Sequence, residues 1–336
     1  MNSFSDIPKL DTHVHINHYN PVVIEHAIRN NFKYLSINVD VEGYPPIHQQ
    51  EDVILRLKKD FGHHINYAAS FEAAGWGNSG WTEKTLDALK RSLDRGAVGV
   101  KIWKNIGMTL RDATGNYVMA DDPTLDPIYD YLAVNNVTLL GHIGEPKNCW
   151  LPLEEMTVSS DRDYFSKNPE FHMYLHPEMP SYQSQLDARN NLLTKHPRLK
   201  FVGLHLTSQE WSVDAVGEFL DRFPNAAVDL AERVCHLQHQ AITDWQKAHD
   251  FMVRYQDRII YGTDMQYFNT TDPDDLAASM ENRYKNHWQF FTTKSLLTAP
   301  KVSGSFMGLG LPEDILLKIY SKNAMQWYPG FDTPGS

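Results

Sequence analysis

Cysteine is scarce: Cys149 and Cys235 are the only two among 336 residues. A disulfide-stapled scaffold is thereby excluded, and the wide separation of the pair does not match a zinc-binding thiol motif. No run of about 18 apolar residues occurs, so no transmembrane helix is expected. Met1 to Leu10 lacks a basic stretch followed by an apolar one, so no secretory signal is read there and a reducing cytoplasm is the expected compartment. Positive charge is short as well: 31 Lys+Arg against 42 Asp+Glu leave a formal net charge of −11. Non-specific binding to nucleic acid or to a membrane surface needs basic patches and is not expected. There is no Gly-rich phosphate loop or dinucleotide fingerprint, which argues against a nucleotide cofactor. Internal repeats, low-complexity tracts and interdomain linkers are absent too.

Against these absences stands a strong alternation. Short apolar runs rich in β-branched residues fall at Leu10–Ile16, Tyr34–Val39, Ile65–Phe71, Val98–Trp103, Val137–Ile143, Lys200–Leu206, Ala226–Leu230 and Arg258–Thr263. Amphipathic helical patterns lie between them. Thr82 is placed to cap a helix that carries Leu86, Leu89 and Leu93 and stops at Gly96, and Ser212 is placed to cap another. Glu51–Phe61, Asp126–Val134 and Ala241–Tyr255 have helical spacing, and a last helix begins after Leu311-Pro312. Eight strands alternating with helices predict an α/β fold, the (β/α)8 TIM barrel, over residues 1–336 as one domain. The longest strand-to-strand step implies an insertion over residues 145–195. A second long stretch, Asn269 to Gly310, follows the eighth strand. Both fall on the C-terminal face, where such barrels build active sites.

The chain also has 16 histidines, roughly twice an average share. Their placement carries the chemistry. In the first strand, strict alternation puts Asp11, His13 and His15 on one face. Strand four ends on Lys101, strand five on His142, strand six on His205 and strand eight on Asp264. Each apolar run thus closes with one metal-competent or basic side chain, at the end of the strand where a parallel barrel gathers catalytic groups. Alone, a strand histidine is more often a hydrogen-bonded core residue, and a lone aspartate before a loop is more often a cap. Together they form a set. Gly99, Gly203 and Gly262 stand two positions before Lys101, His205 and Asp264, leaving room beneath those groups. Neutral imidazoles and a carboxylate suit zinc or a similar divalent ion with an open position for water. Such an ion makes water a usable nucleophile, a carboxylate beside it can move the proton, and a nearby histidine can polarise a carbonyl.

The motifs DTHVHI, GVKIW, GHIGE, GLHL and YGTD, with IYSKNAMQWY near the C-terminus, resemble the amidohydrolase superfamily and its amidohydrolase-2 branch. The likeness runs from Asp11 to about Tyr328. It implies that His13, His15, His142 and Asp264 hold one zinc-like ion, that Asp264 doubles as proton shuttle, and that His205 acts on the substrate carbonyl. Lys101 matches the lysine that is carbamylated and bridges two ions in two-metal members, where His142 and His205 would bind the second ion. One ion is the first expectation here, with Lys101 then contacting substrate. Arg233, Trp103 and Glu145 are the candidate substrate contacts, whereas Lys104 and Arg111 read as ordinary surface charges. Asp229 reads as a partner behind the ligands. The function implied is hydrolysis of an amide, ester or lactone of a small organic molecule. The alternative is a metal-dependent decarboxylase or hydratase acting on an aromatic or unsaturated acid. The partner expected is that small-molecule substrate, and a homodimer is implied by resemblance alone.

Overall fold

A computed structural model describes residues 4–267 and 272–331. All eight expected strands are present: β1 (Lys9–Ile16), β2 (Phe32–Ile37), β3 (Ile65–Ser70), β4 (Gly99–Ile102), β5 (Thr138–Gly141), β6 (Phe201–Gly203), β7 (Ala226–Asp229) and β8 (Ile259–Ile260). Each pairs parallel with its sequence neighbour, from β1 through β8. A further strand, β9 (Met265–Tyr267), pairs with β1. Between β8 and β9 the backbone stays bonded to β1, with Thr12 N donating to Tyr261 O at 3.1 Å and Asp264 N to His13 O at 2.7 Å. Residues 259–267 therefore act as one interrupted stave that meets β7 on one side and β1 on the other, which closes the barrel of a TIM fold.

Apolar side chains sort into two layers. Leu10, Leu35, Ile37, Leu140, Val202 and Ile260 fill the lumen, and Trp327, Tyr328 and Phe331 from the end of the chain join them. Thr138 Oγ1 donates to Trp327 O at 2.5 Å, fixing that stopper at the N-terminal end of β5. The larger cluster lies between the strands and the surrounding helices.

The helices follow their sequence signals with instructive exceptions. Asp126–Val134 forms as expected, and Ser212 Oγ caps Val213–Arg222 by accepting from Ala215 N. Helix Ile47–Phe61 starts four residues before the expected Glu51. Thr82 is not a cap, because its helix starts at Trp81 behind Gly80, and its hydroxyl faces Thr124 O instead. The expected helix Ala241–Tyr255 is two helices, Val234–Thr243 and Trp245–Arg254. They part at Asp244, whose carboxylate caps the second by accepting from Lys247 N. The final helix is interrupted by a wide turn at Lys318–Lys322.

The stretch after the eighth strand is more regular than a loop. Residues 269–271 lie outside the described residues, but beyond them come a helix, Pro273–Thr292, and a hairpin, Leu296–Ala299 with Val302–Met307. The stretch 145–195 contains short 3-10 turns and two helices, Ser159–Lys167 and Tyr182–Lys195. Among the described residues no helix is long and apolar enough to cross a membrane.

Candidate metal centre

The register of β1 decides which side chains enter the mouth of the barrel. Strict alternation would put Asp11 with His13, but the pairing with β2 shifts between Asp11 and Val14. Leu10 therefore packs in the lumen while Val14 and Ile16 pack in the outer layer. Asp11 turns away from the centre and becomes a clamp. Its carboxylate accepts from Thr263 N at 3.0 Å, Thr263 Oγ1 at 2.6 Å and Tyr284 OH at 2.8 Å. Burial pushes this carboxyl up to about 6, against those hydrogen bonds. The clamp ties the strand carrying His13 and His15 to the segment carrying Asp264. Gly262 completes the fit, since a Cβ there would stand 3.0 Å from His13 Cβ.

His13 and His15 both converge on Asp264, each Nε2 lying 3.2 Å from the same oxygen, Oδ1. Asp264 has φ +59°, a left-handed conformation that turns its side chain back over β1. Burial would raise its carboxyl, but His13, His15 and His205 outweigh this and hold it well below the usual carboxylate range.

β6 stops at Gly203, short of the expected Leu206. The next residues make a left-handed turn in which His205, Leu206, Thr207 and Ser208 have φ of 59°, 55°, 55° and 57°. Each such residue costs on the order of 1 kcal/mol. Gly203 serves this turn rather than leaving room under His205, because a Cβ there would come within 2.5 Å of Thr207 Cβ. The turn brings the His205 ring 4.9 Å from His13 and 4.3 Å from His142 between centroids.

Three imidazoles are fixed in one tautomer by what their Nδ1 atoms meet. His15 Nδ1 lies 2.8 Å from Ile37 O, and His205 Nδ1 lies 2.9 Å from Ala231 O. Only an N–H bonds a carbonyl oxygen, so both rings present a lone pair at Nε2. His13 Nδ1 lies 2.7 Å from Asp229 Oδ2. The buried Nε2 atoms of His13 and His205 have no hydrogen-bond partner among the described residues. Burial, ahead of nearby positive charge, pushes His15 down to about 4 and His205 to about 3, and lowers His142 strongly. Burial opposes charge on His13 too, but Asp264 and Asp229 outweigh it and raise that imidazole. Imidazoles held from behind, His13 by a carboxylate and His15 by a backbone carbonyl, and aimed through Nε2 at a carboxylate are the donor set a divalent ion takes. His13, His15 and Asp264 are mutually close enough to share one.

The amidohydrolase family profile matches residues 11–330, nearly the whole chain. The chain belongs to the amidohydrolase family. Solved structures agree at the level of fold. An uncharacterised TIM-barrel protein from Bordetella bronchiseptica superposes with a TM-score of 0.55 at 13% identity, over 96% of this chain and 98% of that one. A 2,6-dihydroxybenzoate decarboxylase from Rhizobium gives 0.52 at 14% identity, over 96% and 98% of the two chains. A 4-oxalomesaconate hydratase from Rhodopseudomonas palustris gives 0.52 at 12% identity, over 96% of each. No curated protein matches the sequence.

The remaining candidates of this amidohydrolase are spread around that focus. His142 follows β5 and packs against His205, outside the tight group of His13, His15 and Asp264. Lys101 is buried on β4 between the charges of Asp264 and Asp229; burial pushes its ammonium down to about 8. Glu145 is bound to Lys104, which is a largely buried partner rather than a surface charge, and lies 4.0 Å from His142. Trp103 is half-buried, with the Lys104 ammonium 5.9 Å from its ring centre. Arg233 is buried beside the Asp161 and Glu210 charges, facing the 145–195 stretch. Arg111 is an exposed cation stacked on Tyr117, as expected. Sequence reasoning passed over Arg189, Glu210 and Asp161. No strand-end signal marks them, since they lie in or beyond the insertion and act on the backbone or on other charges. Asp229, read only as a partner, bonds both His13 and His205 N, the latter at 2.5 Å.

Proposed function

We propose that the chain is a metal-dependent hydrolase that cleaves an amide, ester or lactone bond of a small organic molecule. The observation that carries this reading is the convergence of His13 Nε2 and His15 Nε2 on Asp264 Oδ1, with the ring tautomers set from behind. His13, His15, Asp264 and the adjacent His142 would hold one divalent ion, with zinc fitting the donors. Bound there, such an ion supplies a water of lowered pKa and a Lewis acid for the scissile carbonyl.

The protein's own groups divide the rest of the work. His13 and His15 both meet Oδ1 of Asp264, so its Oδ2 is the atom assigned to take a proton from the attacking water and pass it to the leaving group. His205 is assigned to the space beside the ion that the substrate would enter. Its Nδ1–H is committed to Ala231 O, so Nε2 faces that space as a lone pair that can join the ion or accept from a substrate N–H or O–H, and the expected polarisation of the carbonyl by His205 is corrected on that ground. Lys101 is the buried cation available to the carbonyl oxygen as negative charge develops. Arg233, Trp103 and Glu145 are assigned to the substrate side of the mouth.

A second reading, a metal-dependent decarboxylase or hydratase, draws support from the same Lys101, because a buried ammonium beside the centre suits a substrate carboxylate. The decarboxylase and hydratase that share the fold are compatible with it. Elemental analysis and product detection decide between these readings. About one ion per chain, lost in His13→Ala, supports the one-ion centre. About two ions, with the second lost in Lys101→Ala, supports a carbamylated Lys101 bridging a pair. Metal-dependent acid release from an ester and lactone panel supports hydrolysis. Carbon dioxide release, or hydration without bond cleavage, from aromatic and unsaturated acids supports the lyase. A chain that takes up no zinc or manganese sinks both.

A further inference from the structure

We propose that Arg189 is a positioning residue for the reaction centre: it holds the left-handed turn that aims His205. The turn comprises His205, Leu206, Thr207 and Ser208, none of them glycine. A β-branched side chain such as Thr207 is poorly suited to positive φ, so the conformation must be imposed from outside. Arg189, on helix Tyr182–Lys195, supplies the constraint. Its Nη1 donates to Thr207 O at 2.5 Å and to Thr207 Oγ1 at 2.9 Å, and its Nη2 donates to Gln209 Oε1 at 3.0 Å. The guanidinium stacks on Phe219 at 4.4 Å and its other bonds go to the Asn190 amide oxygen. A buried guanidinium is thus spent on neutral oxygens at a strained turn rather than on a carboxylate.

Other bonds complete the device. Tyr182 OH, on the same helix as Arg189, donates to Ser208 O at 2.5 Å, and Ser208 Oγ donates to Ile143 O at 2.9 Å beside His142. At the near end, His205 N is held by Asp229 and its Nδ1–H by Ala231 O. Gly203 provides the space into which Thr207 folds back. Arg189 fixes the far end of the turn, Asp229 and Ala231 fix the near end, and His205 Nε2 is aimed between them. The helix that carries Arg189 lies within the stretch 145–195, so that stretch reaches the centre through this clamp. The importance of His205 rests on the function proposed above, but its aim does not, and the test reads the ring itself.

The experiment is nitrogen NMR of the full-length, zinc-loaded protein with 15N-labelled histidine, the His205 signal being assigned by its loss in His205→Gln. The wild type is expected to show His205 as the Nδ1–H tautomer with a proton protected from solvent exchange. Arg189→Met is expected to lose that protected signal while the signals of His13 and His15 persist. Adding Thr207→Gly removes the penalty for positive φ at the β-branched residue that Arg189 holds, so the double variant is expected to regain it. If Arg189→Met fails to fold but the double variant folds with the His205 signal, the proposal stands. It is overturned if Arg189→Met folds with the His205 signal unchanged. It is equally overturned if the double variant folds without regaining the signal, or does not fold at all, because Arg189 would then be only a packing residue.

Discussion

Asp229 shows how much of the centre depends on residues that never face substrate. One carboxylate oxygen holds the His13 ring and the other holds the His205 backbone N–H. Replacing Asp229 with Asn keeps the shape but puts an amide where both partners are donors. The expected result is a fall of about 10–100-fold in zinc affinity, the usual cost of losing a carboxylate behind a ligating histidine. Competition against a chromophoric chelator measures it. An unchanged affinity would mean that the β1 backbone alone orients His13. His13, His15 and Asp264 were legible in the sequence because strand ends are where a barrel presents side chains. The face of Asp11 was not, because a register shift has no signature in the alternation it breaks. Nor was the left-handed turn after Gly203, since GLHL reads as a continuing strand until the space at Gly203 and the reach of Arg189 are seen together.

At the scale of elements, the stretch 145–195 is joined to the barrel by buried charge. Asp161 lies 3.3 Å from His236 Nε2 on helix Val234–Thr243 and accepts from Asn148 Nδ2 at 2.9 Å. Burial would raise its carboxyl, but His236, Arg233 and Asn148 outweigh it and hold it at about 2, below its ordinary value of 3.8. Because the folded value is depressed, the unfolded chain takes up this proton first as pH falls. The stabilisation is therefore full above about pH 4 and is lost on acidification toward pH 2. Asp161→Asn is expected to cost about 3 kcal/mol at pH 7, as for breaking a buried pair. The gap to the wild type should close progressively below pH 4 in thermal melts. A gap independent of pH would show that the contact is steric. The helices Ile47–Phe61, Trp81–Asp94, Asp126–Val134 and Val213–Arg222 were readable from apolar spacing, whereas Ser159–Lys167, Tyr182–Lys195 and Pro273–Thr292, in the two long stretches, were not. The break at Asp244 was not, because the apolar period continues through it while a local cap decides where the second helix begins.

At the scale of the whole molecule, the barrel has a stoppered end and a working end. Tyr328 is fully buried in the lumen cluster and stands 3.7 Å from where a Cβ on Gly99 would lie, two residues below Lys101. Tyr328→Ala opens a cavity there and is expected to cost about 3 kcal/mol or more in chemical denaturation. Metal content in the folded fraction should stay unchanged, because the stopper and the histidines sit at opposite ends of β4 and β5. Loss of metal at unchanged stability would contradict that separation. The barrel itself was legible from eight recurring apolar runs separated by helical patterns. The hairpin Leu296–Met307 was not, since one of its strands is largely exposed and neither shows a clean apolar alternation.

The double attachment of Asp229 has a consequence for how such a centre changes over generations. His13 lies on β1 and His205 in the turn after β6, yet one aspartate serves both, so neither is an independent locus. Losing the His13 ring leaves a buried oxygen without its donor, and moving the His205 turn does the same to the other oxygen. Substitutions at the two positions should therefore be strongly non-additive. Descent toward a new reaction is easier through the loops that line the mouth, which can vary singly, than through this pair, which must be exchanged in concert with the residue that joins it.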